Sequence, residues 1–366
     1  MLNGSDVIIF DALWIFLNIG QLHLMSQTCR RAKYELRNKA QPSVRINNLA
    51  MGLSLMGLFL KVKLILRDAR LGILTISNED LSKLTRLTEL SFPCFGQGNG
   101  QDKPCSIKRL INLEWLQINQ YPFDCDDLKF LTKLTHLSVF SNPIRGSSFT
   151  LMTNLTSLNI SNCCFVTDDS LRNFPNLIHL KIGWDTSIIS DRGLLHVPKL
   201  QSLDVNGNKH VTAAGILTLT CLQFLQVGNS PQIDGSFSKL TSLKKLELLN
   251  SENHVTDSAI ENMLGLESLL LYNNEIITSK AVAKLTSLRE LILDNIKGDI
   301  FDMTILSSVS KLQILKLRST GMTFENVRCL QNLTSLDVVG EMGGFDTVNL
   351  FELFPKLRSA KLLKLK

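Results

Sequence analysis

Aromatic residues supply only 7% of this 366-residue chain, with three Trp and three Tyr, and proline appears nine times. No Cys-x-x-Cys pair occurs among the eight cysteines, Cys29, Cys94, Cys105, Cys125, Cys163, Cys164, Cys221 and Cys329. That absence excludes a zinc ribbon and a thioredoxin-like redox motif, and scattered single thiols fit a reducing compartment. Long uninterrupted apolar runs are missing too. Residues 7–17 are short and carry Asp11, with no basic leader segment and no small-residue cleavage site, so they do not read as a signal peptide. Residues 49–66 are broken by Lys61 and Lys63, leaving about 12 clean residues where roughly 20 are needed to span a bilayer. The sequence therefore predicts a cytoplasmic protein, with the nucleus also open, and no membrane partner.

Charge of one sign is also scarce. The net charge is +6, and residues 1–80 hold ten Lys/Arg against six Asp/Glu, which leaves +2 for the rest. The excess sits at Arg30, Arg31, Lys33, Arg37 and Lys39. Nucleic-acid binding needs a longer basic stripe with interleaved aromatics, so no nucleic-acid partner is expected. Catalytic signatures are missing as well: no phosphate loop, no HExxH and no dinucleotide fingerprint. The glycines of GQGNGQ at residues 96–101 do not complete the G-x-G-x-x-G spacing and read as a surface loop. The six histidines, His23, His136, His179, His196, His210 and His254, lack metal-ligand spacing. Cys163 and Cys164 adjoin but have no redox setting. The expectation is no enzyme, no cofactor and no metal.

What is present is Leu, at fixed intervals. A unit of the form LxxLxxLxL recurs thirteen times, as in LTKLTHLSV, MTNLTSLNI, LTSLKKLEL and LTSLRELIL. Its middle leucines are Leu87, Leu113, Leu134, Leu155, Leu177, Leu200, Leu222, Leu243, Leu266, Leu288, Leu312, Leu333 and Leu357, spaced 21 to 26 residues apart. Leu71, Leu74 and Ile76 suggest a short earlier unit. A period in this range means a stacked array. Three of the four N-glycosylation sequons, at Asn154, Asn159 and Asn332 but not Asn3, fall inside the motif, where Asn and Thr recur anyway.

Each unit has its own physics. Leu158 and Ile160 alternate with Ser157, Asn159 and Ser161, the period of a strand with one buried face. Eight residues after the middle Leu comes a small polar residue: Asn142, Cys163, Asp185, Asn208, Ser230, Ser251, Asn274 or Thr320. A short side chain there can bond backbone groups as the chain turns off the sheet. Next comes a Ser or Thr (once Asp), then apolar residues at plus four and plus seven. Examples are Thr167 with Leu171 and Phe174, Ser190 with Leu194 and Val197, and Thr278 with Val282 and Leu285. A capping oxygen followed by apolar residues three apart predicts a short helix with one face on the core.

This unit resembles the leucine-rich repeat. The segments VTDDSL, ISDRGL and VTDSAI, with Cys163 in the turn slot, resemble its cysteine-containing subfamily, found mostly in intracellular proteins, many with an F-box. The resemblance implies an α/β solenoid, a horseshoe with a parallel concave sheet and short convex helices, over residues 71–366. Thirteen strands at about 4.8 Å would line roughly 60 Å.

Residues 1–45 do not fit the repeat, and 46–70 read as a connection. Within residues 6–40, apolar residues before and after Asn18, Gly20 and Gln21 predict two helices and a turn. Phe16-Leu17, then Leu22, then Met25-Ser26 and Thr28-Cys29-Arg30-Arg31 resemble an F-box, although the opening Leu-Pro is absent and Ile19 takes the turn-proline place. The resemblance implies that Leu13, Trp14, Phe16, Leu17, Leu22 and Met25 dock on a Skp-family adaptor of a cullin complex. The alternative is a helical hairpin that only caps the repeat core.

The remaining candidates are outward strand positions: Trp115, Gln117, Phe140, Lys181, Asp204, Phe224, Gln226, Lys245, Glu247, Tyr272, Glu290, Asp294, Lys316, Arg318 and Asp337. Acidic and basic residues on neighbouring rungs, with aromatics beside them, suit a protein ligand. The leading reading is a substrate receptor of a cullin-type ubiquitin ligase. The second is a repeat scaffold with no link to ubiquitin. The third, an enzyme with an attached catalytic domain, is disfavoured because Leu357 belongs to the last unit and nine residues follow it.

Overall fold

All thirteen middle leucines are buried, none more than 9% exposed, so the sequence repeat is also the packing unit. The computed structural model describes residues 43–44, 62–65, 85, 87–92, 107–119, 123, 125–184, 186–234, 236, 239–250, 255–296, 301–320, 322–340, 344–345 and 349–363. The adaptor-docking candidates Leu13, Trp14, Phe16, Leu17, Leu22 and Met25 lie outside the described residues, as do Leu71, Leu74 and Ile76. The chain forms two compact units, Met1–Leu134 and Thr135–Lys366.

Among the described residues of the first unit, four strands pair in parallel and in chain order: β1 (Ser43–Val44), β2 (Val62–Ile65), β3 (Leu87–Phe92) and β4 (Trp115–Ile118). β1 lies within residues 1–45 and β2 within the 46–70 connection, so strand pairing is present upstream of residue 71.

Among its described residues, the second unit stacks eleven parallel strands. They are β5 (His136–Ser138), β6 (Ser157–Asn159), β7 (His179–Lys181), β8 (Ser202–Asp204), β9 (Phe224–Gly228) and β10 (Lys245–Leu249), followed by β11 (Ser268–Tyr272), β12 (Glu290–Asp294), β13 (Ile314–Arg318), β14 (Ser335–Val339) and β15 (Ser359–Leu363). From β9 to β15 the register advances without a slip, so Phe224, Lys245, Ser268, Glu290, Ile314, Ser335 and Ser359 share one row. Strand alternation sends Leu246 and Leu248 inward while Lys245, Glu247 and Leu249 stay half-exposed, and the same period holds in β13 and β14.

Two adjacent positions turn the chain off the sheet. The plus-eight slot behaves as the sequence predicts, wherever it is described. Asn208 is fully buried, donates to the carbonyls of Ile182 and Ile189 at 3.3 and 3.2 Å, and accepts from the Val211 N–H at 2.9 Å. The Ser230 hydroxyl donates to Val205 and Gly228 carbonyls, each at 2.9 Å. Cys163 Sγ donates to the Val139 carbonyl at 3.2 Å. Asp185 and Ser251 lie outside the described residues.

One residue earlier, at plus seven, the backbone is left-handed in ten consecutive repeats: Ser141, Asn162, Trp184, Gly207, Asn229, Asn250, Asn273, Asn295, Ser319 and Gly340. Gly and Asn tolerate that conformation best. Four of the asparagines also form a ladder. The Nδ2 of Asn295 donates to Asn273, that of Asn273 to Asn250, and that of Asn250 to Asn229, at 3.1 to 3.2 Å. The sequence reading placed the polar slot one residue later and missed this row.

The return segments form single helical turns where Ser or Thr predicts them, with N-caps at Thr167, Ser190, Thr212, Thr256, Thr278 and Thr323. The cap hydroxyl has a further task. The Asp168 carboxylate accepts from the backbone N–H and the hydroxyl of Ser190 in the next repeat, at 2.8 and 2.6 Å. Asp191 does the same for Thr212, and Asp257 for Thr278, at 2.6 to 2.8 Å. Beneath the helices, each apolar pair named above is buried, and Phe149 meets Phe174 edge-on at 5.4 Å.

Candidate functional site

Every outward candidate named from the sequence is half-buried or exposed, and each lies among inward residues that are buried. Trp115 and Gln117 stand on β4 of the first unit, where Ser91 Oγ donates to Gln117 Oε1 at 3.3 Å. The others belong to the second unit, and the strand register brings several into contact.

At the β5 end, Phe140 meets Trp184 edge-on with ring centroids 6.0 Å apart. Trp184 is 55% exposed and holds a left-handed φ of 75°. On adjacent strands, Lys181 Nζ lies 3.7 Å from Asp204. Burial pushes the Asp204 carboxyl above its ordinary range, and nearby Glu247 adds to the rise. The Asn206 backbone N–H and Lys181 offset only part of it. Burial, then His136, lowers His179.

In the middle of the face, Lys245 lies 5.3 Å above the Phe224 ring and 2.9 Å from Glu247. Glu290 accepts from Lys316 Nζ at 2.8 Å and from Ser268 Oγ at 2.8 Å. Burial pushes the Glu290 carboxyl up, but those two bonds and the charges of Lys316 and Lys245 together outweigh it and hold the group below its ordinary value. Arg318 lies 3.7 Å from Asp294. The charges alternate in sign because each has a partner on its own or a neighbouring strand.

The sequence reading missed the apolar members of the same face. Leu249, Leu270, Ile292 and Ile314 occupy outward positions in β10 to β13, and Tyr272 stands among them. They escaped because Leu and Ile in a Leu-rich unit look like core. Leu270 is in register with Glu247 and Ile314 with Glu290, while Leu249 and Ile292 lie at even spacing from Lys245 and Glu290 on their own strands, and that is the signal that separates them.

Among the described residues, no group of three or more His, Cys, Asp or Glu could hold a metal ion. No helix there is long and apolar enough to cross a membrane. Cys125, Cys163, Cys164, Cys221 and Cys329 stand outside any disulfide, and burial pushes Cys329 up, away from the reactive thiolate. The face presents a fixed array of polar, aromatic and aliphatic side chains.

No protein-family model and no curated protein matches the chain. Solved structures do. A chain of the yeast Rad7–Elc1 complex is 16% identical, with 97% of this chain and 92% of that one covered and a TM-score of 0.56. A leucine-rich-repeat protein of Leptospira interrogans is 16% identical over 90% of this chain and 97% of that one, with a TM-score of 0.44. An internalin of Listeria monocytogenes is 21% identical over 81% and 87%, with a TM-score of 0.41. With the stacked parallel strands and single-turn helices, the fold is a leucine-rich-repeat solenoid.

Proposed function

We propose that this chain is a protein-interaction protein that holds its ligand on the sheet face of the repeats, and that it serves as the substrate-recognition subunit of a cullin-type ubiquitin ligase. The observation that carries the first part is the face itself. Aromatic, aliphatic and ion-paired side chains are presented in fixed rows on a rigid ladder, the composition of a recognition surface. The second part rests on the F-box resemblance of residues 6–40. The chain also shares its fold with a chain from a complex of two proteins, Rad7 and Elc1.

In this reading, the N-terminal segment docks on a Skp-family adaptor through Leu13, Trp14, Phe16, Leu17, Leu22 and Met25. The repeats then hold a target near a ubiquitin-loaded partner. The chain performs no bond chemistry, and its contribution is proximity.

The test is co-purification of the full chain with a Skp-family adaptor, beside a Trp14→Asp, Leu17→Asp double variant. A stoichiometric complex that the variant loses, with its circular dichroism unchanged, supports the receptor. A well-folded wild type that forms no complex sinks it in favour of a repeat scaffold with a helical cap and no link to ubiquitin.

A further inference from the structure

The outward rows of the second unit are not uniform. On β5 to β8 they hold His136, Ser138, Ser157, Asn159, His179, Lys181, Ser202 and Asp204, all polar. On β10 to β13 the rows change. Leu249 pairs in register with Tyr272, Leu270 with Ile292, and Ile314 stands beside Glu290 on the next strand. These five side chains form one apolar cluster across β10 to β13, and the flanking strands β9 and β14 add outward Phe224 and Val339. Ile292 is the floor of the cluster, only 8% exposed although it faces outward, and Tyr272 is its raised edge at 40%.

Six charges flank the cluster, and all six are matched. Lys245 pairs with Glu247, Lys316 with Glu290 and Arg318 with Asp294, at 2.9, 2.8 and 3.7 Å. The four strands therefore present a net charge of zero with no unmatched cation or anion. A nucleic acid, a phosphopeptide or a strongly basic tail would have to break an existing pair to gain one. An apolar centre flanked by matched charges instead suits a neutral ligand that displaces water from the centre.

We propose that β10 to β13 form the anchor site of the sheet face, and that its occupant is an uncharged segment of another protein that sets aliphatic or aromatic side chains on Leu270, Tyr272 and Ile292. This rests on the reading of the sheet face as the binding surface, and adds to it where the anchor sits and what chemistry it takes.

The experiment is selection of a phage-displayed random-peptide library on the full-length chain, followed by titration of the enriched peptides. The expected peptides carry clustered apolar residues and no net charge, and their affinity changes little as salt rises. Leu270→Asp and the milder Tyr272→Ser each weaken binding about tenfold or more, while Lys280→Glu, on the helical turn Ser279–Val282 away from the sheet face, leaves it unchanged. Circular dichroism checks that the variants fold, and Tyr272→Ser, at an exposed position, serves if Leu270→Asp does not. Enrichment of charged peptides, or no enrichment, overturns the proposal. If binding falls with Lys181→Glu and not with Tyr272→Ser, the sheet face still binds and only the anchor assignment fails. Binding that ignores both substitutions removes the face itself.

Discussion

Trp184 stands where other repeats place Asn, Ser or Gly, in a conformation that costs a bulky side chain about 1–2 kcal/mol. Its edge contact with Phe140 returns about 0.5–1.5 kcal/mol, and the low end applies to a ring 55% exposed. Trp184→Asn is therefore expected to stabilise the fold by up to about 1 kcal/mol, read as a higher thermal midpoint. Two carboxylates on the face are expected to respond to pH in opposite senses. The folded value of Asp204 lies above its ordinary 3.8, so its contribution to stability falls as pH rises through that window. Asp204→Asn should melt above wild type at pH 7, with the gain vanishing below the carboxylate range. The folded value of Glu290 lies below its ordinary 4.5, so its contribution is present at neutral pH and lost as pH falls through the folded value. Glu290→Gln should melt below wild type at pH 7 and converge with it in acid. The plus-eight slot was legible in the sequence because one small polar residue recurs there. The plus-seven row was hidden because backbone handedness, not side-chain type, unites Trp184 with Gly207 and Asn229.

At the scale of the element, the single-turn helices such as Asp191–Leu194 are far too short to persist alone. Packing and their neighbours hold them. Asp191 binds Thr212 through both carboxylate oxygens, and hydrogen bonds to a charged group contribute about 1.5–3 kcal/mol each. Asp191→Ala is expected to cost about 2 kcal/mol, with faster amide exchange at Thr212 and Ala213. Asp191→Asn, which keeps one acceptor, should lose less. The Ser/Thr caps and the plus-four and plus-seven apolar residues were readable because their spacing lies within one unit. The carboxylate bridge was not, because its partners are 21 or 22 residues apart. Within a unit, Asp191 looks like an ordinary acid in a first helical turn.

The whole array is legible for a simple reason: one Leu fills one geometric slot in every unit, and thirteen identical solutions leave a periodic trace. The face is harder to read. Its chemistry arises between strands, as in Glu290 with Lys316, and only the register reveals it. Because each repeat touches mainly its neighbours, damage should stay local. Leu288→Ala, which leaves a cavity worth about 2–5 kcal/mol, is expected to raise hydrogen exchange in β11 to β13 and leave β5 to β7 protected. An unfolding profile that loosens β5 to β7 equally would refute this nearest-neighbour behaviour. The carboxylate bridges give the array a mechanical grain as well. On the helical side, the repeats headed by Asp168, Asp191 and Asp257 are each tied to the next, whereas Ala213 and Ser279 hold the same place without a carboxylate. A solenoid pulled along its axis would yield first at the steps that lack this carboxylate, so its compliance is written into which repeats begin with Thr-Asp or Ser-Asp.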